Sequence, residues 1–403
     1  MADSKSGALD KIIRNNKSMS NIRVMIIQRI LPHYRTGVFR RFSEHFRNLT
    51  IVYGNPAKGE SLKNDSAHLP ENFFEVRNYY PAGTSKIFTT DLKNILSLKK
   101  PQVIITVFNI GNLNLYRLFF LRKVFGFKLI LWSFGYDPVR GFDPKKKLAD
   151  KIRLMMCQNA DAVIFYWNRG KEEVERFSGK KDHYFVAPNT LDTVALSSIK
   201  TSLDLKGRDQ IRRELGISEK NHFVYVGRLL ADKQIDLLIK AFGILSNQST
   251  ETKLTIIGDG PEAVSLQQLA GTISGKIDFR GEILDDVQTG KWIYASDALV
   301  MPGRLGLSVV HSFCFGTPVI SQEKDRYFHG EGIGYLKDGI NGFLAKDGSE
   351  EDIAIKMKLL CDDPSYLEQM RTNALDTVMD ECSVEKMLDG FRQAIDHVNR
   401  KSD

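Results

Sequence analysis

Residues 301–321, MPGRLGLSVVHSFCFGTPVIS, contain almost a whole β-α-β step. The residues leading into Met301 are apolar and partly β-branched, so 298–301 is a predicted strand. Gly303 and Gly306 then make a turn, and 307–315 has the apolar spacing of a helix. Gly316 and Pro318 stop that helix and open a second strand at 318–321. Strand, glycine-rich turn, helix and strand in that order is the repeating unit of a parallel, doubly wound sheet.

Working outward, the same alternation appears on both sides. Towards the middle of the chain it gives predicted strands at 222–226, 253–257 and 277–279 and a helix at 235–245. Earlier it gives strands at 21–27, 50–53, 103–107, 128–132, 162–165 and 183–187, with a helix at 37–46. The periodicity lapses near Asn189, and the polar stretch to Gly207 is a predicted connection. A chain of 403 residues also exceeds what one core supports. The predicted fold is therefore α/β with two Rossmann-like doubly wound domains. Residues 1–20 form a disordered lead-in with neither signal peptide nor membrane anchor, and 21–200 form an N-terminal domain. Residues 201–384 form a C-terminal domain, and 385–403 form a terminal helix packing back on the first domain.

Charge separates the halves. The net charge is +8, with about +16 in residues 1–200 and about −8 in the remainder. An even basic excess would point to nucleic acid; an excess confined to one half points to an anionic surface or acceptor, and nucleic acid is not among the expected partners. The most apolar region, 103–132, is broken by Arg117, Arg122, Lys123 and Lys128, which excludes a membrane span there. Residues 113–128 mix Leu, Tyr and Phe with those cations, as a core helix with a basic solvent edge or an interfacial helix would. The four cysteines are scattered without metal-ligand or disulfide spacing, as in a reducing compartment.

Ligands of doubly wound sheets sit at the carboxyl ends of the strands, which selects three loops. After 222–226 come Gly227, Arg228 and, five positions on, Lys233; the two cations can share a dianionic group, or remain solvated at the surface. After 253–257 come Gly258, Asp259, Gly260, Pro261 and Glu262, where glycines let the backbone approach a ligand and proline opens a helix; a plain strand-to-helix turn has the same appearance. After 298–301 the turn places the amides of Gly306, Leu307 and Ser308 at a helix start, a ready anion site. His311 lies one turn into that helix, on the side predicted to face the same pocket.

Taken together and in this order, these elements resemble glycosyltransferase family 4, the retaining enzymes of GT-B fold, over about residues 222–365. The tract FGTPVIS at 315–321 matches the family's run after its helix. The resemblance implies two domains facing a central cleft. Arg228 and Lys233 would hold the donor diphosphate, the loop from Gly258 to Glu262 would line the nucleotide cleft, and Phe279-Arg280-Gly281 would touch the base. It implies no permanently bound cofactor. A nucleotide-diphospho-sugar of UDP, GDP or dTDP type would be the donor substrate, and the absence of an Asp-X-Asp motif implies no metal. The family commonly carries two glutamates eight positions apart; here those positions hold Gly303 and His311, with His311 the expected replacement on the ribose hydroxyls. The segment GLSVVHSF resembles bacterial polysaccharide and lipopolysaccharide enzymes lacking that pair. Arg35, Thr36 and Gly37 fall in what resembles the family's first loop, on the acceptor side with Asp137 and Arg140, and Phe134 stands where related enzymes carry a histidine.

The implied function is retaining transfer of a sugar to a polysaccharide or lipid-linked glycan, such as capsule or lipopolysaccharide. Its place would be the cytoplasm, peripheral at the inner face of the cytoplasmic membrane. Two alternatives accompany it. One is a catalytically silent subunit of a polysaccharide assembly complex, suggested by the missing glutamates. The other is a nucleotide-sugar epimerase using Glu323, Asp325, His329 and Glu331 as acid and base groups.

Overall fold

The computed structural model describes residues 21–400 except 61, 66–68, 82, 138–139 and 325–327; the expected lead-in lies outside the described residues. Among the described residues the first unit is built on a seven-stranded parallel sheet. Its strands are β1 (Val24–Gln28), β2 (Leu49–Gly54), β3 (Phe73–Val76), β4 (Val103–Val107), β5 (Lys128–Ser133), β6 (Ala162–Phe165) and β7 (Tyr184–Val186), in spatial order β3-β2-β1-β4-β5-β6-β7. The second unit has a six-stranded parallel sheet of β8 (Asn221–Val226), β9 (Thr252–Ile257), β10 (Lys276–Phe279), β11 (Ala298–Val300), β12 (Val319–Gln322) and β13 (Gly342–Ala345), in order β10-β9-β8-β11-β12-β13. Both are doubly wound. The order reverses between β1 and β4 in one sheet and between β8 and β11 in the other, the switch points beside which ligands of doubly wound sheets bind.

Every residue of β2 and of β9 is buried, as expected for inner strands of a parallel sheet with helices on both faces. The edge strands β3 and β13 escaped prediction because they are short, and β3, with sequence FFEV, is half-exposed and barely alternates.

The first unit takes residues 21–137, Gly141–Pro188 and the chain from Val384 onward. The helix Val384–Arg400 packs on β6, β7 and the helix His33–His45. Gly390 makes that crossing close: a Cβ there would lie 2.3 Å from the Val186 carbonyl oxygen. Phe391 follows it, fully buried, with ring centroids 4.9 Å from Phe42 and 5.1 Å from Trp132.

The second unit is Asn189–Ser383 with Arg140. The predicted polar connection is in fact largely the helix Thr193–Asp204, capped by the Asp192 carboxylate, which accepts from the Ala195 N–H at 3.0 Å. Leu196, Ile199 and Leu203, spaced three and four apart among Ser, Thr and Lys, pack that helix on the second core. The few apolar positions were diluted below recognition by polar neighbours.

That core is braced by a buried carboxylate. Asp297 meets Arg371 at 3.1 Å and Arg212 at 3.3 Å, and also accepts the His222 N–H at 2.8 Å. Beside them Arg208 lies over the Tyr294 ring at 4.6 Å, and burial, together with the charge of Arg371, pushes its pKa down to about 9. We expect Asp297→Ala to strand these cations and lower stability by about 3–5 kcal/mol in urea unfolding. Lys358→Ala, at an exposed i,i+4 pair with Asp362, should change it by no more than about 0.5 kcal/mol; equal effects would contradict the assignment.

Candidate functional site

The loops leaving β8, β9 and β11 are joined backbone to backbone. Gly227 donates to Ile257 (3.0 Å), Leu229 to Asp259 (2.9 Å) and Glu262 to Leu229 (3.2 Å), while Gly303 donates to Lys233 (3.0 Å) and Arg304 to Asp232 (2.9 Å). There is no space for side chains between them. A Cβ at Gly258 would lie 1.8 Å from the Gly227 carbonyl oxygen, one at Gly260 would lie 2.4 Å from that of Leu229, and one at Gly303 would lie 2.3 Å from that of Asp232. The glycines at 258 and 260 were predicted to admit a ligand; they instead admit a neighbouring loop. Gly306 differs, since a Cβ there would meet nothing within 4 Å.

Cations occupy the rim that results. Arg228 is exposed, and its carbonyl accepts the Tyr225 hydroxyl at 2.9 Å. Lys233 is half-buried at the end of a short 3-10 turn, with Nζ donating to the Arg304 carbonyl oxygen at 2.5 Å. Burial holds the Lys233 pKa below the ordinary lysine value; Asp232 opposes this, and the charges of Arg304 and Arg228 reinforce it. Lys233 thus sits within electrostatic reach of two arginines. Arg304 was missed in the sequence, where the glycines on either side of Arg304-Leu305 drew the reading to the backbone; a cation inside that turn was the available signal.

From Arg304 the chain runs into the helix Ser308–Cys314, which begins with no side-chain cap. The N–H groups of Gly306, Leu307 and Ser308 find no acceptor among the described residues, so they remain available to an anion. His311 is half-buried against the Phe315 ring at 5.6 Å. Its Nε2 is closed off from solvent and has no hydrogen-bond partner among the described residues, so it does not open onto a pocket as predicted. Burial lowers its pKa and Asp286 partly restores it, leaving the imidazole neutral near pH 7.

The remaining predicted residues of this unit surround the same loops. Gly281, next to Arg280, accepts the Gly258 N–H at 2.7 Å, and the Arg280 guanidinium bonds Asp278 at 2.8 Å and lies 5.0 Å from the Trp292 ring centre. Pro261 precedes the helix and does not open it, since the helix is Ala263–Ala270 with Glu262 at its cap position. Of the residues named for an epimerase, His329 and Glu331 are engaged in structural hydrogen bonds. His329 accepts the Leu305 N–H on Nδ1 at 3.3 Å, so its Nε2 donates to the Gln322 carbonyl at 3.0 Å, and burial takes its pKa down to about 4. Glu331 accepts from the Asn189 amide, the Glu323 N–H bonds the Ala345 carbonyl at 2.7 Å, and Asp325 lies outside the described residues.

In the first unit Arg35, Thr36 and Gly37 lie in the helix His33–His45, not in the predicted loop. Pro32 sets the backbone into that helix one residue before it starts. Arg35 is buried with its guanidinium 4.9 Å from the Trp132 ring centre, and Thr36 is buried. Asp137 stands 4.0 Å from Arg153 and bridges by backbone to Gly141, while Arg140 is exposed. Phe134 packs with Tyr136 (5.0 Å) and Trp167 (5.3 Å), an aromatic cluster where a histidine was sought.

The close contact at Gly303 yields a direct test. Gly303→Glu should destabilise the protein by about 2–4 kcal/mol by driving apart the β8 and β11 loops, whereas Gly306→Ala should cost no more than about 1 kcal/mol. A tolerated Gly303→Glu in thermal unfolding would show that these loops are not seated as described.

Residues 207–377 match the family model described as Glycosyl transferases group 1. The chain is 24% identical over 238 residues to the alpha-D-kanosaminyltransferase of Streptomyces kanamyceticus, covering 58% of each chain. It is 28% identical over 177 residues to the lipopolysaccharide core biosynthesis glycosyltransferase LpsE of Rhizobium meliloti, covering 42% of this chain and 48% of that one. The matches span about half the length of these curated relatives. Among solved structures, Alr3699/HepE from Anabaena, determined in complex with UDP, superposes with a TM-score of 0.66 at 14% identity, over 93% of this chain and 100% of that one. Two parallel α/β sheets and this likeness give the chain the GT-B fold, and residues 207–377 are similar to the glycosyl transferases group 1 family.

Proposed function

We propose that the protein is a retaining, metal-independent glycosyltransferase that moves a sugar from a nucleotide-diphospho-sugar to a hydroxyl of a polysaccharide or lipid-linked oligosaccharide. One observation carries this reading: Lys233, Arg228 and Arg304 bring like charges together at the ends of β8 and β11, on the turn that leads into an uncapped helix start. A diphosphate relieves that repulsion and accepts the waiting N–H groups.

In the reaction the bond from the sugar's anomeric carbon to the diphosphate oxygen breaks, and its electron pair stays on the leaving diphosphate. The acceptor oxygen bonds to the same face of that carbon, and its proton passes to the departing phosphate. Arg228, Lys233, Arg304 and the amides of Gly306 to Ser308 stabilise the charge that develops. Gly227 and the loop of Gly258, Gly260, Pro261 and Glu262 border the nucleotide, and Arg280 meets the base. His311 supplies an imidazole bond to the ribose once Nε2 is uncovered; leaving that nitrogen unsatisfied costs about 1–3 kcal/mol, which a bound hydroxyl would recover. Arg35, Thr36, Gly37, Asp137 and Arg140 are assigned to the acceptor side. The UDP bound to Alr3699/HepE makes UDP the first donor type to test, before GDP and dTDP. The likeness to LpsE supports a bacterial surface glycan as acceptor, and with it a place at the inner face of the cytoplasmic membrane.

A thermal-shift screen against UDP, GDP, dTDP and ADP, with Mg²⁺ or with EDTA, tests the donor site. One diphosphate should raise the melting temperature equally in both conditions, with a stabilisation of about 2.7 kcal/mol at a hundred times its Kd, and Arg228→Ala and Lys233→Ala should each cut that stabilisation by about half or more at the same concentration. No shift at millimolar nucleotide would overturn the proposal in favour of a non-catalytic subunit. With the donor found, NMR of the product should show the donor's anomeric configuration; inversion would rule out the retaining mechanism.

A further inference from the structure

The helix Leu113–Phe125 in the first unit is apolar on two faces, and only one of them is covered by protein. Leu115 and Leu118 are buried. On the other side Leu113, Tyr116, Phe120 and Val124, spaced three and four apart, form a stripe in solvent, with Phe120 68% and Val124 64% exposed. Off that stripe, Phe125 at the end of the helix and Leu98, on the helix Lys93–Lys99, are also exposed. Isolated exposed leucines need no explanation, but a stripe of aromatic and branched side chains along one helix does.

The charge around the stripe identifies its partner. From residue 92 to residue 136 the chain has seven Lys and Arg and no Asp or Glu. On the helix, Arg122 is paired with Asp161 at 3.0 Å, while Arg117 and Lys123, both exposed beside the stripe, make no ion pair among the described residues. A self-complementary contact with a second copy would set these cations against each other. An apolar stripe flanked by unopposed cations suits a bilayer surface with anionic headgroups, where the aromatic and aliphatic side chains enter the acyl boundary and the cations stay among the phosphates.

We infer that the exposed face of the helix Leu113–Phe125 is the surface by which this protein docks on anionic lipid membranes. The inference names the surface behind the membrane placement proposed above, but it rests on surface chemistry and stands or falls apart from the transferase reading, since vesicle binding and nucleotide binding are measured separately.

Co-sedimentation of the full chain with phosphatidylglycerol-containing vesicles and with pure phosphatidylcholine vesicles tests it. We expect binding to the anionic vesicles that weakens with salt, and little to the neutral ones. Phe120→Ser/Val124→Ser and Arg117→Glu/Lys123→Glu should each weaken binding by about tenfold or more while leaving the melting temperature within a few degrees of the parent. Wild-type protein that ignores anionic vesicles, or variants that bind as the parent does, would overturn the inference. So would a dimer in light scattering that Phe120→Ser/Val124→Ser converts to monomer, because the face would then be a self-interface.

Discussion

The second unit's site depends on the backbone-to-backbone seating of the loops after β8, β9 and β11. With the Gly258 Cβ position 1.8 Å from one carbonyl and that of Gly303 2.3 Å from another, these loops can adjoin only where side chains are missing. Five main-chain hydrogen bonds then hold them in one arrangement. Chemistry at this rim must therefore come from backbone amides and from long side chains reaching in from the edges. Arg228, Lys233 and Arg304 are such side chains. The same constraint leaves no room for a side chain at 303, whose loop is pressed against Asp232 and Lys233.

Two ways of holding positive charge coexist in this unit. At Asp297 the arginines meet a buried carboxylate, and the network joins β8 and β11 to the helices behind them. At Lys233 the ammonium group meets a carbonyl oxygen, which accepts a hydrogen bond but does not neutralise a charge; burial lowers its pKa, Asp232 opposes this, and Arg304 and Arg228 reinforce it. The first arrangement is complete by itself. The second is the one that an arriving anion would complete under the proposed function.

Much of the fold was visible in the sequence because parallel strands buried on both faces are continuous apolar runs: 103–107 and 162–165 matched to the residue, and most of the others to within one or two. The edge strands Phe73–Val76 and Gly342–Ala345 were not: the first is half-exposed without clear alternation, and the second, GFLA, is largely buried but only four residues long. The helix Thr193–Asp204 was hidden by its Ser, Thr and Lys residues, although Asp192 and the Leu196, Ile199 and Leu203 spacing were there to be read. At the site, the loop positions of Arg228, Lys233 and Gly306 followed from strand ends. The purpose of Gly258 and Gly260 did not, because a glycine that admits a ligand and one that admits a neighbouring loop are identical in sequence. Only the packing separates Gly303, which is enclosed, from Gly306, which is open.

The central claim is that the cations after β8 and β11 and the helix start beyond them form a diphosphate site, and titration calorimetry of the full chain tests it most directly. For the nucleotide base that binds, the nucleoside diphosphate should bind at least about tenfold more tightly than the monophosphate, a difference of about 1.4 kcal/mol, and Lys233→Ala should remove most of that difference while leaving monophosphate binding nearly unchanged. Equal affinities for diphosphate and monophosphate in the parent protein, or an undiminished diphosphate preference in Lys233→Ala, would contradict the claim.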